Sequence, residues 1–336
     1  MRITQFVLLG MSFAGLAAPQ SYHVAGKIPI GGEGGWDYLH VDSAARRLYV
    51  SHATKAVVVD LDSNKIVGEI PDTQGIHGIA TAPKLGRGFT SNGRTNNVTI
   101  FDLKSLEVIQ KVETGQNPDA IAFDAASGKV FTFNGRSKDS SVIDAATGKV
   151  VATIPLGGKP EFAAVDGKGN LWVNIEDTSE IAEIDTAKLA VTKRYKLEGC
   201  EEPSGLALDA KKVRLFSVCG NKVMVISDPA AGKVVATLPT GERTDGAAFD
   251  PNARLAFSSN GEGTITVVRE RNGKYEVAEN VKTAVGARTI AVDPKTGALY
   301  LPTAELGPAP APTPQQPRPR PSIVPGSFYV LIVAKQ

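Results

Sequence analysis

The sequence is poor in several residue types that particular chemistries require. Its 336 residues include four histidines, two cysteines and two tryptophans, and aromatic side chains make up 6% of the chain. It contains no Cys-x-x-Cys-His segment for haem attachment and no Gly-x-Ser-x-Gly segment for a serine nucleophile. The formal net charge is +2, so no global charge draws the chain to nucleic acid or to an acidic membrane. These absences exclude several enzyme classes and shift attention to local sites.

Long apolar runs are also absent after the N-terminus. Arg2 is followed by a short apolar core over residues 6–16 and by small residues at 17 and 18. This run is too short to span a bilayer and fits a signal peptide over residues 1–18, with a mature start between 18 and 21. A buried N-terminal strand is the alternative. The sequence therefore predicts a periplasmic or secreted protein with no membrane span in the mature chain, most simply a monomer.

What the chain does contain is a repeat. A short apolar strand ends in an anchor aspartate about every 42 residues, and Ala82 takes the one remaining position. Such a period indicates stacked units that cannot bury their apolar faces alone. The anchors are Asp42, Asp124, Asp166, Asp209, Asp250 and Asp293.

Each unit has the pattern of four short strands. In the third unit these cover residues 119–124, 130–134, 140–144 and 150–155, separated by turns rich in Gly, Asp and Ser. Seven such units predict an all-β, seven-bladed β-propeller of four-stranded antiparallel blades, with units similar in size to WD40 repeats. The last unit ends at its third strand, so we expect the N-terminal strand, residues 23–30, to complete blade seven. Residues 21–336 then form a single domain.

These repeats resemble the YVTN/YncE-like family. The signature Tyr-Val-Thr-Asn of that family corresponds to Tyr49-Val50-Ser51-His52, and the segments VVVDLDSNKIVGEIP and VIDAATGKVVATIPLGGKPE resemble its other strands. The resemblance implies an exported propeller that acts as a binding scaffold, and one member binds nucleic acid. Related propellers include lactonases and lyases that use acidic, asparagine and histidine groups with a divalent ion. Quinone-dependent and copper-cluster propellers need more tryptophan or histidine than this chain has.

The repeat register places one polar residue per blade around the mouth of the central channel. Carboxylates there suit a hard cation such as Ca²⁺, with His77 as general base and Arg288 holding an anionic group. A water-filled channel mouth is polar in any propeller, which is the alternative interpretation. The ring consists of Asp37, His77, Asp119, Glu161, Ser204, Asp245 and Arg288, of which Asp37, Asp119, Glu161 and Asp245 are the candidate metal ligands.

The ends of the second strands and their loops provide further candidates for ligand contact at the same face. We predict that they surround the ring, with Trp36 as an aromatic wall. These candidates are Trp36, His52, Asn92, Arg94, Asn134, Arg136, Asn174, Glu176 and Asn260.

Two features depart from the plain repeat. A proline-rich insertion occupies residues 305–326 of blade seven and is expected to be extended, as a lid, a docking arm or a solvated loop. Cys200 and Cys219 both belong to blade five, where a disulfide is plausible in an exported protein and two buried thiols are the alternative.

The leading functional interpretation is a scaffold that binds an unknown small molecule or protein at the channel face. The sequence identifies no cofactor for it beyond a candidate divalent cation. The alternative is a metal-dependent hydrolase or lyase of the lactonase type at that face. A nucleic-acid-binding propeller is the weaker second alternative, because the predicted ring is acidic and few aromatic residues are placed for base stacking.

Overall fold

The structure is a computed structural model that describes residues 21–311, 313 and 321–336. The predicted signal peptide lies outside these residues. The described chain forms seven four-stranded antiparallel sheets arranged as the blades of a β-propeller, as predicted. Its only helical elements are 3₁₀ turns at Pro83–Leu85 and Glu176–Thr178. Within the described residues, no helix has the length and apolar character needed to cross a bilayer.

The strands follow one another from the channel outward in each blade, so that sequential neighbours pair. The N-terminal strand β1 is Tyr22–Pro29. Blade one contains β2 (Leu39–Asp42), β3 (Arg47–His52), β4 (Lys55–Asp60) and β5 (Lys65–Ile70). Blade two contains β6 (Ile76–Ala82), β7 (Arg87–Asn92), β8 (Asn97–Asp102) and β9 (Val108–Glu113). Blade three contains β10 (Pro118–Asp124), β11 (Lys129–Asn134), β12 (Asp139–Asp144) and β13 (Lys149–Pro155).

The later blades repeat this order. Blade four contains β14 (Pro160–Val165), β15 (Asn170–Ile175), β16 (Glu180–Asp185) and β17 (Ala190–Lys196). Blade five contains β18 (Pro203–Asp209), β19 (Arg214–Cys219), β20 (Val223–Asp228) and β21 (Lys233–Pro239). Blade six contains β22 (Thr244–Asp250), β23 (Leu255–Asn260), β24 (Thr264–Arg271) and β25 (Lys274–Lys282). Blade seven contains β26 (Ala291–Val292), β27 (Leu299–Thr303) and β28 (Tyr329–Lys335).

Blade seven is completed by the N-terminal strand, as the sequence predicts. Strand β1 pairs antiparallel with β28, from Tyr22 opposite Lys335 to Pro29 opposite Tyr329. The side chains of Tyr22 and Ile28 are buried against the neighbouring strands. The two ends of the described chain therefore lie in one sheet and close the ring.

The anchor aspartates have a physical role that explains their regular recurrence. In blade three, the Asp124 carboxylate accepts hydrogen bonds from the backbone N–H groups of Ala126 and Ser127, which fixes the turn into the second strand. It also accepts a hydrogen bond from the Thr186 hydroxyl of blade four at 2.7 Å, which links the two blades. Ala82 has no carboxylate, and there the 3₁₀ turn that begins at Pro83 replaces this arrangement.

Apolar side chains fill the spaces between adjacent blades rather than one central core. One such cluster joins Phe131 and Phe133 of blade three to Leu171, Val173 and Ile184 of blade four, and all of these are fully buried. Each blade is thus stabilised by the blades beside it, as expected for stacked repeats.

Blade five contains a disulfide. Cys200 and Cys219 are bonded to each other, with their Cα atoms 5.5 Å apart. The bond ties the loop that leads into β18 to the end of β19. Both cysteines are buried in the cluster between blades four and five.

Candidate functional site at the channel mouth

The predicted ring residues lie at equivalent positions around one end of the channel, and most of them contact a neighbour from the next blade. Asp37 contacts His77, His77 lies near Asp119, and Arg288 bonds to both Asp245 and Asp37. Each ring residue lies at or just before the start of the first strand of its blade. Because these strand ends surround the channel, their side chains come close to one another. Their pairing was not evident from the repeat register.

His77 is the centre of a half-buried cluster. Its Nδ1 atom lies 2.6 Å from Asp37 Oδ2 and 3.6 Å from Asp119 Oδ1. Burial opposes charge on the imidazole, but the hydrogen bond to Asp37 and the charges of Asp119, Asp37 and Glu161 outweigh it and raise the pKa of His77 to about 9. The imidazole is therefore protonated at neutral pH, a state in which it cannot act as the general base that the sequence suggested.

Two carboxyl groups near this histidine have pKa values above the ordinary carboxyl value. Burial raises the pKa of Asp119, against the charge of His77, and the charge of Asp37 raises it further. Burial and the charge of Asp119 raise the pKa of Glu161, against its hydrogen bond to Lys159. Carboxyl groups that hold a proton near neutral pH are able to donate as well as accept hydrogen bonds.

Lys159 is a member of the site that sequence reasoning missed. Its ammonium group lies 2.8 Å from Glu161 Oε1 and also bonds to Glu176, one of the predicted ligand contacts. Lys159 comes two residues before the ring position of blade four, and that proximity to a candidate acid was the available signal. With His77 and Arg288, Lys159 neutralises much of a ring that the sequence predicted to be acidic.

Arg288 joins three blades at the other side of the ring. One of its nitrogens donates to Asp245, and the other donates to Asp37 Oδ1 at 3.4 Å and to the carbonyl oxygen of Trp36 at 3.3 Å. The neighbouring Thr289 hydroxyl donates to the Asp37 carbonyl at 2.6 Å. Asp37 is thus fixed by both neighbours and by backbone contacts.

The predicted set of four metal ligands is not brought together. Asp245 pairs with Arg288, and Glu161 pairs with Lys159. Only Asp37 and Asp119 of that set share a cluster, and His77 joins them, with one ligand atom from each of the three within 4.8 Å of the others. The four predicted carboxylates therefore do not form one all-oxygen group, and the residues close enough to share an ion are Asp37, His77 and Asp119.

Two aromatic side chains pack together next to the ring residues Asp37 and Glu161. The rings of Tyr38 and Phe162 lie 4.8 Å apart, and a cavity of about 200 Å³ adjoins them. His40 Nε2 lies 2.9 Å from the Thr81 hydroxyl oxygen, and burial lowers the pKa of His40 to about 4. His40 is thus a neutral packing residue at physiological pH.

Several residues predicted to line the mouth are instead buried inside the blades. The side chain of Asn92 donates to Asn97 and Thr99 of the next strand, and Asn134 and Asn260 make equivalent bonds. Asn174 instead donates to the carbonyl oxygens of Ser204 and Gly205 in blade five. His52 is also buried, with its ring stacked on Phe328 at 4.3 Å. The residues corrected in this way are His52, Asn92, Asn134, Asn174 and Asn260.

The remaining candidates lie nearer the surface. Arg94 and Arg136 are exposed. Trp36 is half-buried and stacks on Phe328, with ring centroids 5.3 Å apart.

Beside the ring is an open depression that we call the mouth cleft. Its volume is about 520 Å³, within the range of small-molecule sites. One wall is apolar and comes from Trp36 and from the described ends of the proline-rich insertion, where Leu306 and Ile323 form an antiparallel bridge. The mouth cleft is lined by Gly35, Trp36, Arg243, Thr244, Asp245, Gly261, Gly286, Arg288, Leu306, Pro321 and Ile323.

The opposite face offers less to a ligand. A second cleft, of about 450 Å³, lies between blades five and six, but two of the three basic residues that line it are already paired. Lys212 bonds to Glu270 at 2.6 Å and Arg214 to Asp228 at 3.1 Å. The pairing leaves little free positive charge there for a phosphate backbone.

Fold and geometry together define a seven-bladed β-propeller with a charged, partly neutralised channel mouth. No protein-family model matches the chain, and no curated protein matches it. A solved structure described as Kuenenia stuttgartiensis hydrazine synthase is similar, with a TM-score of 0.68 and 17% sequence identity over 80% of this chain and 92% of that chain. At this identity the similarity shows the fold alone, and the relation to the YVTN/YncE-like family stays a prediction.

Proposed function

We propose that this is an exported β-propeller that binds a small molecule in the mouth cleft. The observation that carries the proposal is the juxtaposition of an apolar wall, formed by Trp36, Leu306 and Ile323, with the charged groups of Arg288 and Asp245 in one depression. Ligand sites in proteins combine apolar surface with a few placed polar groups in this way. Export is proposed from the N-terminal sequence pattern.

A thermal-shift screen of a small-molecule library tests this proposal. Compounds that raise the melting temperature of the wild type are retested on Trp36→Ala, in which the apolar wall is incomplete, and on Lys149→Ala. Lys149 is exposed at the start of β13, on the opposite face, and serves as the control. We expect the shifts to be lost in Trp36→Ala and kept in Lys149→Ala. Hits that are insensitive to Trp36→Ala would place binding elsewhere and reject the proposal.

A metal-dependent hydrolase or lyase is the second candidate function, because of the Asp37, His77 and Asp119 cluster. A mixed imidazole and carboxylate set suits Zn²⁺, Mn²⁺ or Fe²⁺ better than Ca²⁺. These three side chains would hold the ion, which supplies Lewis-acid chemistry when bound. His77 would then be a ligand and would have to lose its proton, while Arg288 would orient an anionic substrate.

Elemental analysis and thermal unfolding with added Zn²⁺, Mn²⁺ or EDTA test the second candidate. An ion at 100 times its dissociation constant stabilises the folded state by about 2.7 kcal/mol. We expect this stabilisation in the wild type, its loss in Asp119→Asn, and no loss in Asp60→Asn, a turn residue of the opposite face. Equal melting temperatures under all conditions would remove the metal-dependent enzyme from consideration.

A further inference from the structure

The mouth cleft contains one cationic side chain whose charge is not balanced. The Arg243 guanidinium donates through Nη2 to the carbonyl oxygen of Gly261 at 2.9 Å, and no carboxylate pairs with it among the described residues. Arg288, in contrast, is paired with Asp245 and Asp37. Arg243 is therefore the lining arginine that has no carboxylate partner among the described residues.

The apolar wall across the cleft is held in place by packing. Trp36 stacks on Phe328, and the bridge between Leu306 and Ile323 fixes the two described ends of the insertion relative to each other. Leu306 also lies close to Gly286, at the edge of the same cleft. The wall presents apolar surface from Trp36, Leu306, Pro321 and Ile323 to whatever occupies the cleft.

We propose that the mouth cleft binds a small amphipathic monocarboxylate, with its carboxylate on Arg243 and its apolar body against Trp36, Leu306 and Ile323. This inference rests on the proposed function and specifies its ligand class. A planar guanidinium pairs well with a carboxylate through two parallel hydrogen bonds. Because Asp245 lies in the same cleft, a second negative charge on the ligand is disfavoured, which selects a monoanion over a phosphate dianion.

Three matched compounds test the charge requirement: 4-phenylbutyrate, its primary amide and 4-phenylbutylamine, which share an apolar body. Tryptophan emission reports binding locally, because Trp36 lines the cleft and Trp172, the second tryptophan, is 3% exposed in the core between blades four and five. We expect the carboxylate to change the emission and to bind at least tenfold more tightly than the amide. The amine should not bind. Isothermal titration of the same solutions gives the dissociation constants.

Two arginine variants test the assignment of Arg243. Arg243→Gln should weaken 4-phenylbutyrate binding at least tenfold, while Arg271→Gln, at an exposed position outside the cleft, should leave it unchanged. Far-ultraviolet circular dichroism and melting temperatures confirm that both variants fold. Because the three-compound comparison uses the wild type, it does not depend on the variants.

The outcomes separate this inference from the proposed function. Equal or tighter binding of the amide or amine would overturn the carboxylate assignment and leave a ligand-binding cleft intact. Carboxylate binding that is unaffected by Arg243→Gln would also overturn it. If none of the three compounds binds at millimolar concentration, the carboxylate class is rejected, whereas the proposed function is judged separately by the library screen and Trp36→Ala.

Discussion

At the scale of single residues, the channel mouth shows how one repeat position acquires different roles in different blades. Asp37 accepts hydrogen bonds from His77 on one side and Arg288 on the other, so that three blades share one carboxylate. Glu161 has Lys159 as its partner but is buried near Asp119, and its carboxyl group retains a proton more readily than an exposed one. The register predicted the positions of these groups, but their protonation depends on neighbours that only the folded ring provides.

The raised pKa of Glu161 predicts a pH dependence of stability. A carboxyl group with a raised pKa binds its proton more tightly in the folded state, so its contribution is fully present below the ordinary carboxyl pKa and is lost as the pH rises through the folded value. Glu161→Gln should therefore match the wild type near pH 5 and become more stable than the wild type at pH 8, by about 1–2 kcal/mol. One proton limits the slope to about 1.4 kcal/mol per pH unit.

Urea unfolding between pH 5 and 8, in the presence of EDTA, measures this difference. Glu107→Gln, an exposed turn substitution, is the control and should follow the wild-type profile. Parallel profiles for the wild type and Glu161→Gln would show that Glu161 does not hold its proton more tightly in the folded protein.

At the scale of secondary-structure elements, the turn between the first two strands of each blade combines two requirements. Where the anchor is an aspartate, its carboxylate accepts backbone N–H groups, and in blades one to six the residue before the second strand has a positive φ. Gly128 has this role in blade three, with φ of 68°, but blade five places Val213 there, with φ of 51°. A β-branched residue is strained in this region, whereas glycine is not.

Val213→Gly should therefore stabilise the protein. Relief of the left-handed strain, about 1–2 kcal/mol, exceeds the extra entropy that glycine loses on folding, about 0.5–1 kcal/mol. We expect the free energy of unfolding to rise by about 0.5–1 kcal/mol, measured by urea unfolding with both proteins at the same pH.

Gly128→Val is the reciprocal substitution. A Cβ atom added at Gly128 meets no heavy atom within 4 Å, so the left-handed backbone conformation is the expected cause of a loss of stability. We expect a loss of about 1 kcal/mol. If Val213→Gly destabilises the protein or Gly128→Val has no effect, the conformation of these turns does not limit stability.

At the scale of the whole molecule, the ring depends on closure between its two ends. Strand β1 covers the edge of β28 and buries Tyr22 and Ile28, so it contributes both hydrogen bonds and apolar contacts to blade seven. Without it, blade seven would end in an open strand edge, which invites association with other chains.

A chain that begins at Gly31 should be destabilised relative to one that begins at Ser21. The truncated chain lacks Tyr22 and Ile28, and loss of the burial of two large side chains costs about 3–6 kcal/mol, at about 1.5–3 kcal/mol each. We expect a lower melting temperature and soluble aggregates by size-exclusion chromatography. A monomeric truncated chain with an unchanged melting temperature would mean that the ring does not need β1.

The sequence by itself determined the architecture of this protein. The 42-residue period, the strand alternation and the missing strand of the last unit are local patterns, and they predicted seven blades, their four strands and the closing partner of β28. The tertiary structure alone decided which groups meet at the mouth. Lys159 and Arg243 joined the site, and asparagines such as Asn92 left it, because the packing of each sheet and the reach of each side chain decide which groups face the mouth. Repeat register specifies where a residue stands in its own blade, and only the closed ring specifies its neighbours.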